Sequence, residues 1–256
     1  MKKLSLVRTK PSRILFGKGK PSTRFRLPTD FPLQIYDRTG VILFKYIDTN
    51  LIKWRSFWLG WEGLKNRYRA MSEYDEEFTQ SIKKHGNSPL SPEERYKQDK
   101  ALFGFFTSSV SAVECFFYAA YWMGAFLKPK EFPSDSESLK YLYPQNVMEK
   151  FVANFHGETL TGKMKECVDD PTYIEMRDMR DVLSHRGVLP RHFYHVDDNV
   201  TATVPANPKA PIELWRDGIS IDEKTTKTRR QWLSNTIEGL MTAAADFSEK
   251  TTTGKE

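Results

Sequence analysis

Residues 101–127 read ALFGFFTSSVSAVECFFYAAYWMGAFL, a run with one formal charge, Glu114, near its centre. It is long enough to cross a bilayer. A carboxylate at mid-bilayer depth, however, costs on the order of 3 kcal/mol on insertion scales, and Thr107, Ser108, Ser109 and Ser111 dilute the apolar character further. The run therefore reads as the central helix of a bundle, covered on most sides by neighbours, with Glu114 satisfied by a basic partner from another element.

Working upstream, Ser91-Pro92-Glu93-Glu94 has the form of an N-cap followed by proline at the first helical position, so this helix is expected from about residue 91 to Leu127. A break at Gly86-Asn87-Ser88-Pro89 separates it from an earlier helix. That helix begins at the cap Asn50 and carries Leu51, Trp54, Trp58, Trp61, Leu64, Tyr68 and Met71 at three- and four-residue spacing. Rings at that spacing mark a core stripe rather than a ligand box. Further upstream, the alternation of Phe31, Leu33 and Ile35 with Pro32, Gln34 and Tyr36, the turn residues Asp37-Arg38-Thr39-Gly40 and the apolar run Val41 to Phe44 predict an N-terminal hairpin.

Downstream, a polar loop over Pro133 to Ser138 leads to a minor amphipathic helix with Val147, Phe151, Val152 and Phe155. Asp170-Pro171 then opens another helix, expected to end at Gly187, a natural left-handed terminator followed by Pro190. Helical periodicity is lost between Val188 and Ile221, where His192 to Val196, Asn199 to Val204 and Ile219 to Ile221 predict short strands in a β-rich insertion. Leu233, Ile237, Leu240, Ala244 and Phe247, with Trp232 beside them, define a last helix, and residues 251–256 form a frayed tail. The expected class is mainly α: an up-and-down bundle of about four main helices, with the insertion at 188–221 and the hairpin as additions, in a single domain over residues 31–250.

Charge is unevenly distributed. Of 39 basic and 33 acidic residues, the first 30 positions hold nine basic and one acidic, a net of +8, which leaves −2 over the remainder of a chain whose total is +6. Residues 1–30, punctuated by Pro11, Pro21 and Pro28, read as a flexible cationic arm that can grip phosphate or simply keep the protein solvated. Met1 to Leu6 lacks the apolar stretch of a secretory signal, although the arm is compatible with an organellar transit segment. Cys115 and Cys167 form neither a Cys-x-x-Cys pattern nor a disulfide framework, which fits a reducing cytoplasm.

Late in the chain stands Arg180-Asp181-Val182-Leu183-Ser184-His185. An arginine, a polar residue and a histidine after a short gap, carried on a helical bundle, resembles the HEPN superfamily (higher eukaryotes and prokaryotes nucleotide-binding). The segment Ser108 to Tyr121 around Glu114 is also similar to an upstream helix of that family. The resemblance covers roughly residues 50–187 and 222–248. It implies a homodimer with metal-independent endoribonuclease activity where two copies of the motif meet, or else a non-catalytic module that binds nucleotide, RNA or a protein. Toxin or defence-type roles belong to the first of these. The implied roles are Arg180 and His185 as catalytic groups, Asp181 and Glu114 as supports, and Arg177 and Arg186 as nucleic-acid contacts, with no cofactor and no metal.

The local physics bears on those roles. Residues five apart lie about 140° apart around a helix, so Arg180 and His185 converge only if the long arginine reaches along the axis and the helix end lets the imidazole swing. A histidine in the last helical turn, one turn after Asp181, is expected to have a raised pKa, suited to protonating a leaving 5′-oxygen. Arg180 would fork onto phosphate oxygens. The competing reading is a salt-linked helix surface of Arg177, Asp178, Arg180, Asp181 and Arg186, with His185 capping the end. Three other patterns carry less. His192 and His195 would face opposite sides of a strand, which argues against a metal site with His185, Asp197 and Asp198. Gly17 to Ser22 lacks phosphate-loop spacing, and Ser184 lacks the strained turn of a nucleophile.

Overall fold

In a computed structural model, residues 27–44, 51–85, 90–185, 192–194, 212–214 and 221–253 are described. The elements run α1 (Leu33–Phe44), α2 (Leu51–His85), α3 (Pro92–Leu127), α4 (Ser136–Leu139), α5 (Pro144–Asn154), α6 (Thr159–Asp169), α7 (Pro171–His185), β1 (His192–Tyr194), β2 (Ile212–Leu214) and α8 (Glu223–Thr253). The fold is mainly α. Its axis is the quoted apolar run: α3 packs against α2, α5, α7 and α8. Phe105, Phe106, Val110, Val113, Phe116, Phe117 and Tyr121 are all fully buried, each worth roughly 1.5 to 3 kcal/mol in surface removed from water. This coverage by neighbouring helices gives the apolar side chains of α3 their burial.

The start of α3 follows from its first residues. Glu94 N donates to Ser91 Oγ and Ser91 N donates to Glu94 Oε2, both at 3.3 Å, a reciprocal cap worth about 1 kcal/mol. α2 lies antiparallel to α3: Gln98 Nε2 donates to Ser81 Oγ at 3.0 Å at one end, while Gly60 faces Ala119 and Cys115 at the other. A Cβ on Gly60 would sit 2.9 Å from the Ala119 nitrogen and the Cys115 carbonyl oxygen, so only glycine permits this backbone approach. On α2 the expected stripe is buried at Trp54, Trp61, Leu64, Tyr68 and Met71, joined by Phe57 and continued by Asp75 and Phe78; Trp58 is half-buried and Leu51 is exposed.

The predicted hairpin over Phe31 to Phe44 is replaced by helix α1. Strand alternation would have put Phe31, Leu33 and Ile35 on one face, but Leu33 is 44% exposed whereas Tyr36, Thr39 and Leu43 are buried at helical spacing, with Phe31 buried just before the helix. The segment carries both periods, and tertiary partners select between them. Tyr36 stacks on Trp61 with ring centroids 5.1 Å apart and donates its hydroxyl to Glu62 at 3.0 Å. Arg38, expected in a turn, instead forks onto Glu249 of α8 at 2.7 and 3.0 Å.

β1 and β2 form a two-stranded antiparallel ladder with Phe193 opposite Glu213. β1 falls within the expected His192 to Val196 strand, β2 was not anticipated, and Ile221 is a buried lead into α8 rather than a strand. The Asn199 to Val204 segment, the basic arm through residue 26 and Gly187 lie outside the described residues. The polar loop contains the single-turn α4, α6 was not foreseen, and α8 continues through Thr253.

Candidate functional site

α7 is set by Asp170 and Pro171. Asp170 Oδ1 accepts from Thr172 N at 2.7 Å, capping the helix as the sequence predicts. Its inner face, Tyr173, Met176, Met179 and Val182, is buried. Two contacts hold it against α8: Tyr173 stacks on Trp232, with centroids 6.4 Å apart, and Arg229 is ion-paired with Glu175. Arg180 therefore sits on the edge of the buried face, where its side chain reaches α3.

There Arg180 Nη2 donates to Glu114 Oε1 at 3.0 Å, which supplies the basic partner anticipated for the central carboxylate. The two residues are 66 positions apart in sequence. Arg180 Nε lies 2.6 Å from Asp181 Oδ1 but is not aimed for a hydrogen bond, and this buried N–H has no hydrogen-bond partner among the described residues. Nη1 has no partner among the described residues either. The arginine is 22% exposed, Glu114 32% and Asp181 47%, so the cluster is solvent-reachable. Burial pulls the Arg180 guanidinium pKa down, but the Glu114 charge and hydrogen bond, with Asp181, outweigh that and hold it above its ordinary value.

These groups line a cleft of about 490 Å³. α3 contributes Glu114, α7 contributes Tyr173, Arg177, Arg180 and Asp181, and α6 contributes Val168 at the base. Tyr143, Pro144 and Gln145 at the start of α5 complete the lining. Pro144 occupies the first helical turn and Tyr143 O accepts from Val147 N at 3.1 Å, which fixes that segment's backbone. Among the described residues Arg177 is paired only with its neighbour Asp178, at 3.2 Å, and remains exposed. Burial, followed by the Cys167 and Glu114 charges, pushes the Tyr173 phenol up, so it stays protonated and donor-competent.

The sequence-predicted residues thus divide. Glu114, Arg177, Arg180 and Asp181 are brought together. Asp181, expected as a support, sits against Arg180. His185 closes α7, with its side chain outside the described residues, as is Arg186. Tyr143, Gln145 and Tyr173 were missed; an aromatic residue immediately before a helix-starting proline was the available signal. Among the described residues no group of three or more His, Cys, Asp or Glu is arranged to hold a metal ion.

A second polar cluster was also missed. Arg230 of α8 donates from Nε and Nη2 to Asp30, at 2.8 and 3.0 Å, and from Nη1 to Asp75 at 2.8 Å. Asp30 O accepts from Ser234 Oγ at 2.9 Å and Tyr68 Oη at 3.3 Å, so this cluster clasps the segment before α1 to α2 and α8. The signal was a carboxylate, Asp75, one turn beyond Met71 on the core stripe.

Comparison with known proteins finds no matching family model, no matching curated protein and no matching solved structure.

Proposed function

We propose that the α3–α5–α7 cleft is a HEPN-like phosphodiester site, at which a homodimer of this chain cleaves RNA without metal. One observation carries the reading: Glu114 from the first stretch that resembles the family meets Arg180 and Asp181 from the second in one solvent-reachable cleft, with Arg180 Nη1 uncommitted among the described residues. Glu114 positions the guanidinium by holding Nη2. Nη1 is then left to meet a phosphate oxygen with a charge that persists throughout the reaction.

In this mechanism the ribose 2′-hydroxyl passes its proton to a neutral imidazole, the His185 of the second copy, and its oxygen forms a bond to the adjacent phosphorus. The bond from phosphorus to the 5′-oxygen breaks, and that oxygen takes a proton from the imidazolium of His185. The products are a 2′,3′-cyclic phosphate and a 5′-hydroxyl. Arg180 offsets charge on the phosphate oxygens as the bonds exchange.

A second reading, a non-catalytic module binding nucleotide, RNA or protein, is favoured by the charge balance of the cleft. Glu114 and Asp181 offset Arg177 and Arg180, so the wall offers directed donors without a net positive field. Incubating the purified protein with RNA in chelator, alongside His185→Ala and Arg180→Ala, separates the two. Catalysis predicts cyclic-phosphate products and a loss on the order of 10²- to 10⁴-fold in His185→Ala. Equal cleavage by all three proteins eliminates it, and binding without cleavage, lost in Arg180→Ala, supports the module.

A further inference from the structure

The two walls of the cleft differ in chemistry, and a ligand that satisfies both must join an anion to a flat polarisable face. On the α7 side are the guanidinium groups of Arg177 and Arg180. On the α5 side is Tyr143, 60% exposed, with no ring or hydrogen-bond partner for its side chain among the described residues. The tyrosine occupies the cap position of α5 without capping it, so its ring is not engaged in holding the helix start. Its backbone is nevertheless held in an extended conformation, φ −75° and ψ 149°, by the following proline and by the Val147 amide. The ring is therefore presented on a rigid mount rather than a loose loop.

We propose that Tyr143 is a base-stacking platform, so that the cleft selects an unpaired nucleotide, with its phosphate toward Arg177 and Arg180 and its base on the tyrosine ring. The proposal rests on the RNA reading given above. A volume of about 490 Å³ falls in the range of ligand pockets, roughly 300 to 1,000 Å³. A base in a duplex has both faces covered by its neighbours and cannot lie on a tyrosine without being unstacked, whereas an unpaired base can. Stacking of this kind tolerates any base, because every base has a π-face, so the expected selectivity is for strandedness rather than sequence.

The test is fluorescence anisotropy with a short labelled single-stranded RNA, the same strand annealed to its complement, and an abasic ribose-phosphate oligomer. Tyr143→Ala is expected to weaken single-strand binding about tenfold, within the range of roughly 1 to 3 kcal/mol seen for base–aromatic stacking. Tyr143→Phe should bind as the unmodified protein does. Tyr141→Ala removes a ring that is 56% exposed but outside the cleft, and should change nothing. The abasic oligomer should not distinguish Tyr143→Ala from the unmodified protein. Unchanged single-strand binding by Tyr143→Ala, or a preference of the unmodified protein for duplex, overturns the stacking assignment and leaves the RNA reading standing. Failure of the unmodified protein to bind or cleave any of the RNAs overturns both.

Discussion

Arg230 and Arg180 each sit between two carboxylates, yet among the described residues only Arg230 has a donor in use at every guanidinium nitrogen. In the α2–α8 clasp, Nε, Nη1 and Nη2 of Arg230 all donate to Asp30 or Asp75. In the α3–α7 cleft, Nη2 of Arg180 donates to Glu114, Nε is misaligned with Asp181, and Nη1 has no described partner. The acid partners overlap in exposure, with the Asp75 side chain at 11% and Asp30 at 30%, against 32% for Glu114 and 47% for Asp181. In nearly the same charge environment, Arg230 has an acceptor at each of its three nitrogens and clasps separate elements together, whereas Arg180 keeps Nη1 without a partner among the described residues.

Exchanging the arginines for a similarly sized apolar side chain should break this contrast most visibly. Arg230→Met leaves Asp30 and the buried Asp75 adjacent and unpaired. A loss of about 2 to 3 kcal/mol in urea unfolding is expected, somewhat below the figure for a fully buried pair because Arg230 is 19% exposed. Arg180→Met leaves carboxylates that water can reach, and should cost under about 1 kcal/mol while removing the proposed RNA cleavage. Equal destabilisation by the two changes would show that the contrast is not one of structure against ligand binding.

A pH series sharpens the comparison. Burial raises the Asp30 carboxyl, but the Arg230 hydrogen bonds and charge, with the Tyr68 hydrogen bond, outweigh it and hold the group below its ordinary 3.8. A carboxyl with a depressed folded-state pKa contributes stability that is present above its unfolded value and lost as pH falls through the folded one. Asp30→Asn should therefore be less stable near neutrality, by about 1 kcal/mol, with the deficit shrinking as acid protonates the native aspartate. A deficit constant down to acid pH would exclude the Arg230 clasp as its source.

The smallest effect belongs to the cleft. Glu114→Gln keeps an oxygen acceptor for Arg180 Nη2 but removes the offsetting charge. Stability should move by less than about 1 kcal/mol. RNA should bind tighter at low salt, with the slope of log affinity against log salt steepened by up to about 0.7. An unchanged slope would place the phosphate away from Arg180.

Much of the helical framework was legible because its signals are local. Ser91 and Glu94 cap α3, Asp170 and Pro171 start α7, and the aromatic stripe of α2 repeats at the helical period. α1 was not legible as a helix, since its residues satisfy a period of two as well as one of 3.6. Stacking of Tyr36 on Trp61 and pairing of Arg38 with α8 discriminate between them only after the chain has folded. In the site, Glu114 could be read as a charge in need of a basic partner and Arg180 as a charge on a helix. Tyr143 carried only the local signal of an aromatic residue before a helix-starting proline and Gln145 none, so their place in the same cleft as Arg177 could not be read.

Short-range rules, namely side-chain spacing, caps and the exclusion of an unpaired carboxylate from an apolar interior, were enough for the residue order to dictate a mainly helical chain built around residues 92–127. Which of 39 basic residues answers Glu114, which arginine keeps donors open and which aromatic ring borders the cleft were decided by tertiary packing. The reason is physical: a charge or a ring states what it requires through its chemistry, but the partner that meets the requirement is chosen by distance and burial, which exist only once the helices have packed.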